Sequence, residues 1–116
     1  MKFLSIFTPV ADIPPTPEHM EAMGKLMDEA TKSGELIATG GLMPISKGGV
    51  RLKASRGNVT VVDGPFPEAK EVVGGFAILQ YDTREAAIEG AKRFMKIAGD
   101  GLTEVYPIMD DAPPPR

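Results

Sequence analysis

Apolar residues along this chain follow two periods. They alternate within short runs and recur at three- and four-residue spacing within two longer segments, a division that separates strands from helices. Phe3-Leu4-Ser5-Ile6-Phe7-Thr8 is aromatic-rich, ends at Pro9 and has apolar residues on both alternating faces, which predicts a strand covered on both sides. After the Pro-rich connection Ala11 to Pro15, Thr16-Pro17-Glu18 reads as an N-cap, a first-turn proline and an acid at the positive end of the helix dipole. The stripe Met20, Met23, Met27 and Ala30, with Leu26 beside it, predicts an amphipathic helix that Gly34 stops. Its methionines are read as core filler.

Glu35 to Met43 predicts a second strand, and Gly40-Gly41 a bulge or a close backbone approach. Pro44 to Gly49 is a loop. Val50 to Ala54 and Asn58 to Val62 flank Ser55-Arg56-Gly57 at hairpin spacing. Phe76 to Tyr81 has no polar face and is expected at the centre of the sheet. Asp82 or Thr83 caps a second helix, whose buried side is Ala87, Ala91, Phe94, Met95 and Ala98 and whose end is Gly99-Asp100-Gly101. Thr103 to Met109 is the last strand, and Pro107 puts part of it on an edge or a bulge.

The order is strand, helix, strand, hairpin, strand, helix, strand. This is an α+β chain, βαββαβ with an inserted β-hairpin, the ferredoxin-like arrangement. Helices cover one face of such a sheet, so the apolar second face of its strands calls for a partner's sheet, and a homodimer is expected. Residues 1–109 form one domain, followed by an acidic, Pro-rich tail at 110–116.

A length of 116 residues supports one core that buries somewhat under ~70% of the unfolded surface. The absence of cysteine removes disulfides, thiolate metal sites and a thiol nucleophile. The net charge of -3, with Lys and Arg scattered, lacks the footprint of a nucleic-acid binder. No apolar run approaches the ~20 residues of a membrane span, and Met1-Lys2-Phe3 leads into a strand rather than a signal peptide. A cytoplasmic location is expected.

The most constrained stretch is Asp63-Gly64-Pro65-Phe66-Pro67-Glu68-Ala69-Lys70-Glu71. Gly64 and Phe66 precede prolines and are pushed to extended conformations, while Pro65 and Pro67 fix their own φ, so the segment is a stiff elbow. Pro67 suits the first position of a helical turn that would end at Gly74-Gly75. Asp63 can accept a hydrogen bond from the Phe66 amide, which would fix the turn.

The run Val62 to Glu71, followed by Gly74-Gly75-Phe76 and a strand, closely resembles the DGPF branch of the YCII-related proteins. The likeness extends to the first strand, the helix before Gly34, the Gly40-Gly41-Leu42 step and the closing Val105 to Met109 run. It implies a ferredoxin-like unit that dimerises into an α+β barrel. Related YCII proteins outside the DGPF branch are associated with a His–Asp pair whose His comes from the first helix. His19, the only histidine, is the matching residue type, but its spacing to Gly40 is about one helical turn longer, so Met23 is the alternative for that place.

Two function classes follow. The first is a small-molecule protein with its cleft at the elbow, a cofactor-free lyase or isomerase acting on a small anionic metabolite. Asp63 or Glu68 would accept a proton, His19 would shuttle one, Lys70 or Arg51 would hold the anionic group, and Phe66 would line the site. The second is a sensory or accessory module without chemistry. It rests on the resemblance of some DGPF proteins to segments found alongside extracytoplasmic-function sigma factors. A lone histidine without carboxylates at ligand spacing argues against a metal centre.

Overall fold

The computed structural model describes residues 1–10, 16–62 and 74–109. Its elements are β1 (Lys2–Pro9), α1 (Pro17–Ser33), β2 (Leu36–Gly41), β3 (Arg51–Ser55), β4 (Asn58–Val62), β5 (Gly75–Gln80), α2 (Arg84–Ala98) and β6 (Gly101–Pro107). The main sheet has the order β2-β5-β1-β6, and every pairing in it is antiparallel. With β3 and β4 set aside as an insertion, this is the ferredoxin-like α+β fold.

Local chemistry explains the helix ends. Thr16 is extended and its hydroxyl accepts from the His19 amide at 3.1 Å, with Pro17 in the first turn. Gly34, at φ 84°, closes α1 in the left-handed conformation. Thr83 rather than Asp82 caps α2, and its hydroxyl accepts from the Ala86 amide at 3.1 Å.

The strands with two apolar faces, β1 and β5, hold the two central places. Pro107 lies in β6 on the sheet edge, where its missing N–H costs no ladder bond. The break in β2 is not at Gly40-Gly41. It falls between Leu36 and Ala38, so Ile37 is the extra residue, and Leu36, Thr39 and Gly41 share one face. The close backbone approach does lie at the glycines: a Cβ on Gly75 would stand 2.9 Å from the Gly40 carbonyl oxygen.

Register sorts the side chains. Phe3, Ser5 and Phe7 of β1 share a face with Leu79 and Ala77 of β5 and with Val105 and Thr103 of β6. The helices lie on this side, where Phe94 of α2 meets Phe7 edge-on at 5.3 Å between ring centroids. The outer face carries Leu4, Ile6, Phe76, Ile78, Leu102 and Tyr106.

Phe3 and Ala87, each 3% exposed, are the buried hydrophobic residues among those described. The α1 stripe was expected in the core, but α1 has no buried residue, Met20 is 62% exposed, and Met23, Leu26 and Met27 are half-buried. They border a space rather than fill one.

β3 and β4 form a separate two-stranded sheet. Ser55 pairs with Asn58, so the loop is the two residues Arg56 and Gly57, at φ 51° and 83°, as a type I′ turn requires. Leu52, Ala54, Val59 and Val61 share one face, and Arg51 and Lys53 lie on the other.

Candidate functional site in the helix–sheet cleft

The space beneath α1 is a cleft of about 800 Å³ between the helices and the sheet. One wall is Met23, Leu26 and Met27 of α1. Another is Ala91, Phe94 and Ile97 of α2, and the floor includes Phe7, Ala77 and Leu79. Each of these comes from the amphipathic side of its helix or from the helix-facing register of its strand. Polar groups gather at the two ends.

At one end are Glu35, Tyr81 and Arg93. Glu35 precedes β2, and its carbonyl accepts from the Gln80 amide at 2.8 Å. The Tyr81 amide donates to the Met1 carbonyl at 2.9 Å, which fixes where the ring leaves the sheet. Arg93 Nη2 donates to Glu35 Oε2 at 3.4 Å. The Tyr81 hydroxyl lies against Gly90, in the place a side chain there would take. Burial, and then the charge and hydrogen bonding of the Glu35 carboxylate, raise the Tyr81 pKa above its ordinary value of 10.0, with Arg93 opposing.

At the other end are Thr16, His19, Asp100 and Thr103. Thr103 Oγ1 is buried and has no hydrogen-bond partner among the described residues. An unpaired buried hydroxyl costs free energy, and here it borders open volume that a ligand oxygen or nitrogen can enter.

Of the residues expected from sequence, His19 lines the cleft. Met23, the alternative one turn further on, lines it too, so the question of which one matches the relatives' histidine does not alter where either points. Asp63, Phe66, Glu68 and Lys70 lie outside the described residues, while Gly74, which follows that stretch, lines the cleft and donates its amide to the Phe7 carbonyl at 2.8 Å. Arg51 stands on the hairpin and is not part of the cleft wall. Among the described residues no group of three or more His, Asp or Glu side chains is placed to hold a metal.

Glu35, Tyr81, Arg93, Asp100 and Thr103 were not expected as site residues. A signal existed for Arg93, which sits beside Phe94 and three residues after Gly90 on the face of α2 that turns to the sheet, where a guanidinium interrupts an apolar side. Thr103 and Tyr81 gave none, since a Thr in a strand and a Tyr at a strand end are ordinary.

The chain matches the YCII-related domain over residues 1–111 and belongs to that family. It also resembles the solved structure of 5-chloro-2-hydroxyhydroquinone dehydrochlorinase from Burkholderia phenoliruptrix AC1100 in complex with 2,5-dihydroxybenzoquinone. That likeness has a TM-score of 0.52 and 14% identity over 94% of each chain, which establishes a common fold. No curated protein matches the sequence. No helix among the described residues is long and apolar enough to cross a membrane.

Proposed function

We propose that this YCII-related chain binds a small organic molecule in the cleft between α1, α2 and the sheet and performs cofactor-free proton transfer on it, as a lyase or isomerase. One observation carries the reading: a space of about 800 Å³ with apolar walls and a few polar groups at its ends has the size and make-up of a ligand site. His19 is the base or shuttle, since it lines the cleft and an imidazole is the side chain most often used in general acid–base catalysis. Asp63 is its proposed carboxylate partner, by analogy with the His–Asp pair of YCII relatives outside the DGPF branch. Elimination of chloride from a hydroxylated ring, the activity named for the structural neighbour, is chemistry of this class.

An anionic metabolite would draw on Lys70 or Arg51 to hold its charge, with Glu68 as a proton acceptor. Arg51 is on the hairpin and the other two lie outside the described residues, so the cleft itself is what we carry forward. We also propose that the outer sheet face pairs with a second copy, because Leu4, Ile6, Phe76, Ile78, Leu102 and Tyr106 form a mainly apolar surface, interrupted by Glu104. The exposed apolar side of the hairpin favours the second reading, a non-catalytic module that meets a regulatory protein through Leu52, Val59 and Val61.

A thermal-shift screen of a chemically mixed library separates the two. Saturation at a hundred times the dissociation constant adds about 2.7 kcal/mol of stability. Hits that disappear in Ala91→Trp, which fills the cleft, and turnover that disappears in His19→Asn are the expected outcome. No hit sensitive to Ala91→Trp would favour the interaction module.

A further inference from the structure

We infer that the ligand of this cleft is elongated and mainly apolar, longer than a single ring, and uncharged at its polar ends, carrying hydroxyl or carbonyl groups rather than carboxylate or phosphate. The inference rests on the cleft reading above and names the class of molecule that fits it.

Length comes from the register. Tyr81 bonds to Met1 at one end of β1, and Thr103 pairs with Phe7 near the other. Six residue steps of strand separate Met1 from Phe7, which is about 20 Å. A single ring meets one end or the other. Only an extended molecule satisfies both the Glu35–Tyr81–Arg93 group and the orphaned Thr103 hydroxyl while covering the apolar floor of Phe7, Ala77 and Leu79 between them.

Charge comes from the lining. Among the described residues, the ionisable groups along the cleft other than Tyr81 are two carboxylates, Glu35 and Asp100, one guanidinium, Arg93, and one imidazole, His19. Arg93 is already engaged by Glu35. The one permanent cation of the described walls is therefore already compensated, and the described carboxylates outnumber it. The direction at Tyr81 agrees: burial and then the Glu35 carboxylate raise its pKa against the opposing Arg93, so further negative charge at this end is disfavoured. A neutral hydroxyl or carbonyl suits the site better. It can accept from Tyr81 or Arg93 at one end and bond to Thr103 Oγ1 at the other.

Four probes separate length from charge: phenol, biphenyl, 4-hydroxybiphenyl and biphenyl-4-carboxylate, titrated calorimetrically into the full chain at neutral pH. We expect 4-hydroxybiphenyl to bind at least tenfold tighter than phenol and at least tenfold tighter than the carboxylate. The single hydroxyl of 4-hydroxybiphenyl reaches one end of the cleft, so one of Tyr81→Phe and Thr103→Val should weaken it threefold or more and leave the affinity for biphenyl unchanged. The inference is overturned if the carboxylate binds as tightly as the phenol of equal length, if phenol equals 4-hydroxybiphenyl, or if neither substitution changes the affinity. Ala91→Trp and, from the opposite wall, Met27→Trp identify which idea has failed, with folding of each checked by circular dichroism. Anions that bind and are lost in these variants refute the ligand class but leave the cleft site standing. Indifference of every ligand to both variants removes the cleft site as well.

Discussion

Arg93 Nη2 stands 3.4 Å from Glu35 Oε2, and this pair ties α2 to the residue that opens β2. Both side chains keep substantial access to solvent, so the pair itself contributes about 1 kcal/mol at most. Its larger effect is on Tyr81. Glu35→Gln should bring the Tyr81 pKa down towards its ordinary value without reaching it, because burial, the first cause of the shift, remains. Absorbance titration of the phenol in a Tyr106→Phe background isolates Tyr81, since Glu104 raises the Tyr106 pKa as well.

The sign of the pH dependence follows from the same shift. A phenol whose pKa is raised on folding contributes stability that is fully present below the unfolded value of about 10 and is lost as pH rises through the folded value. Denaturant melts from pH 9 upwards should show falling stability in the Tyr106→Phe protein, and a shallower fall once Glu35→Gln is added.

Two helical glycines should respond in opposite directions to the same substitution. Gly24 in α1 has open space where a Cβ would go, so Gly24→Ala should stabilise by up to ~1 kcal/mol through helix propensity. In α2 the Tyr81 hydroxyl occupies the Cβ position of Gly90, so Gly90→Ala should lower the melting temperature despite the better propensity. It should also displace the ring from the Glu35 carboxylate, and the Tyr81 titration detects that move.

The cap of α1 offers a third test. Thr16→Ala removes the acceptor of the His19 amide and should cost about 1 kcal/mol in chemical denaturation, whereas Thr16→Ser should retain most of the stability.

Assembly is tested on the outer sheet face. Leu102 is 54% exposed in the single chain, so Leu102→Glu should leave the monomer fold intact. In light scattering after gel filtration we expect the unaltered chain at the mass of two copies and the variant shifted towards one.

The fold was legible because punctuation and period agreed. Thr16-Pro17 and Gly34 bracket one helix, Thr83 and Gly99 the other, and the two strands with apolar residues on both faces took the central places. The β2 irregularity was misplaced because glycine pairs announce freedom of backbone, whereas the extra residue proved to be Ile37, which carries no such mark. The site was only partly legible. His19 stood out as a unique residue type, but the opposite pole of the cleft is assembled from Glu35, Tyr81 and Arg93, three separate elements whose meeting depends on how α2 crosses the sheet. The methionine stripe was read as core, but Met20 is exposed and Met23 and Met27 border the cleft half-buried. Whether an inward face meets packing or open volume depends on the distance between layers, and a periodic pattern does not encode that distance.

The position of β1 bears on how the chain is made. Phe3 pairs with Leu79 on one side and with Pro107 on the other, so the innermost strand waits for neighbours 76 and 104 residues downstream. At ribosomal rates of about 5–20 residues per second, Leu79 follows Phe3 by roughly 4–15 s. During that interval Phe3, Ile6 and Phe7 have no sheet to join, and the contacts that finally seat them are among the most non-local in the molecule. The aromatic segment of β1 thus stays unpaired in the nascent chain until β5 and β6 have emerged.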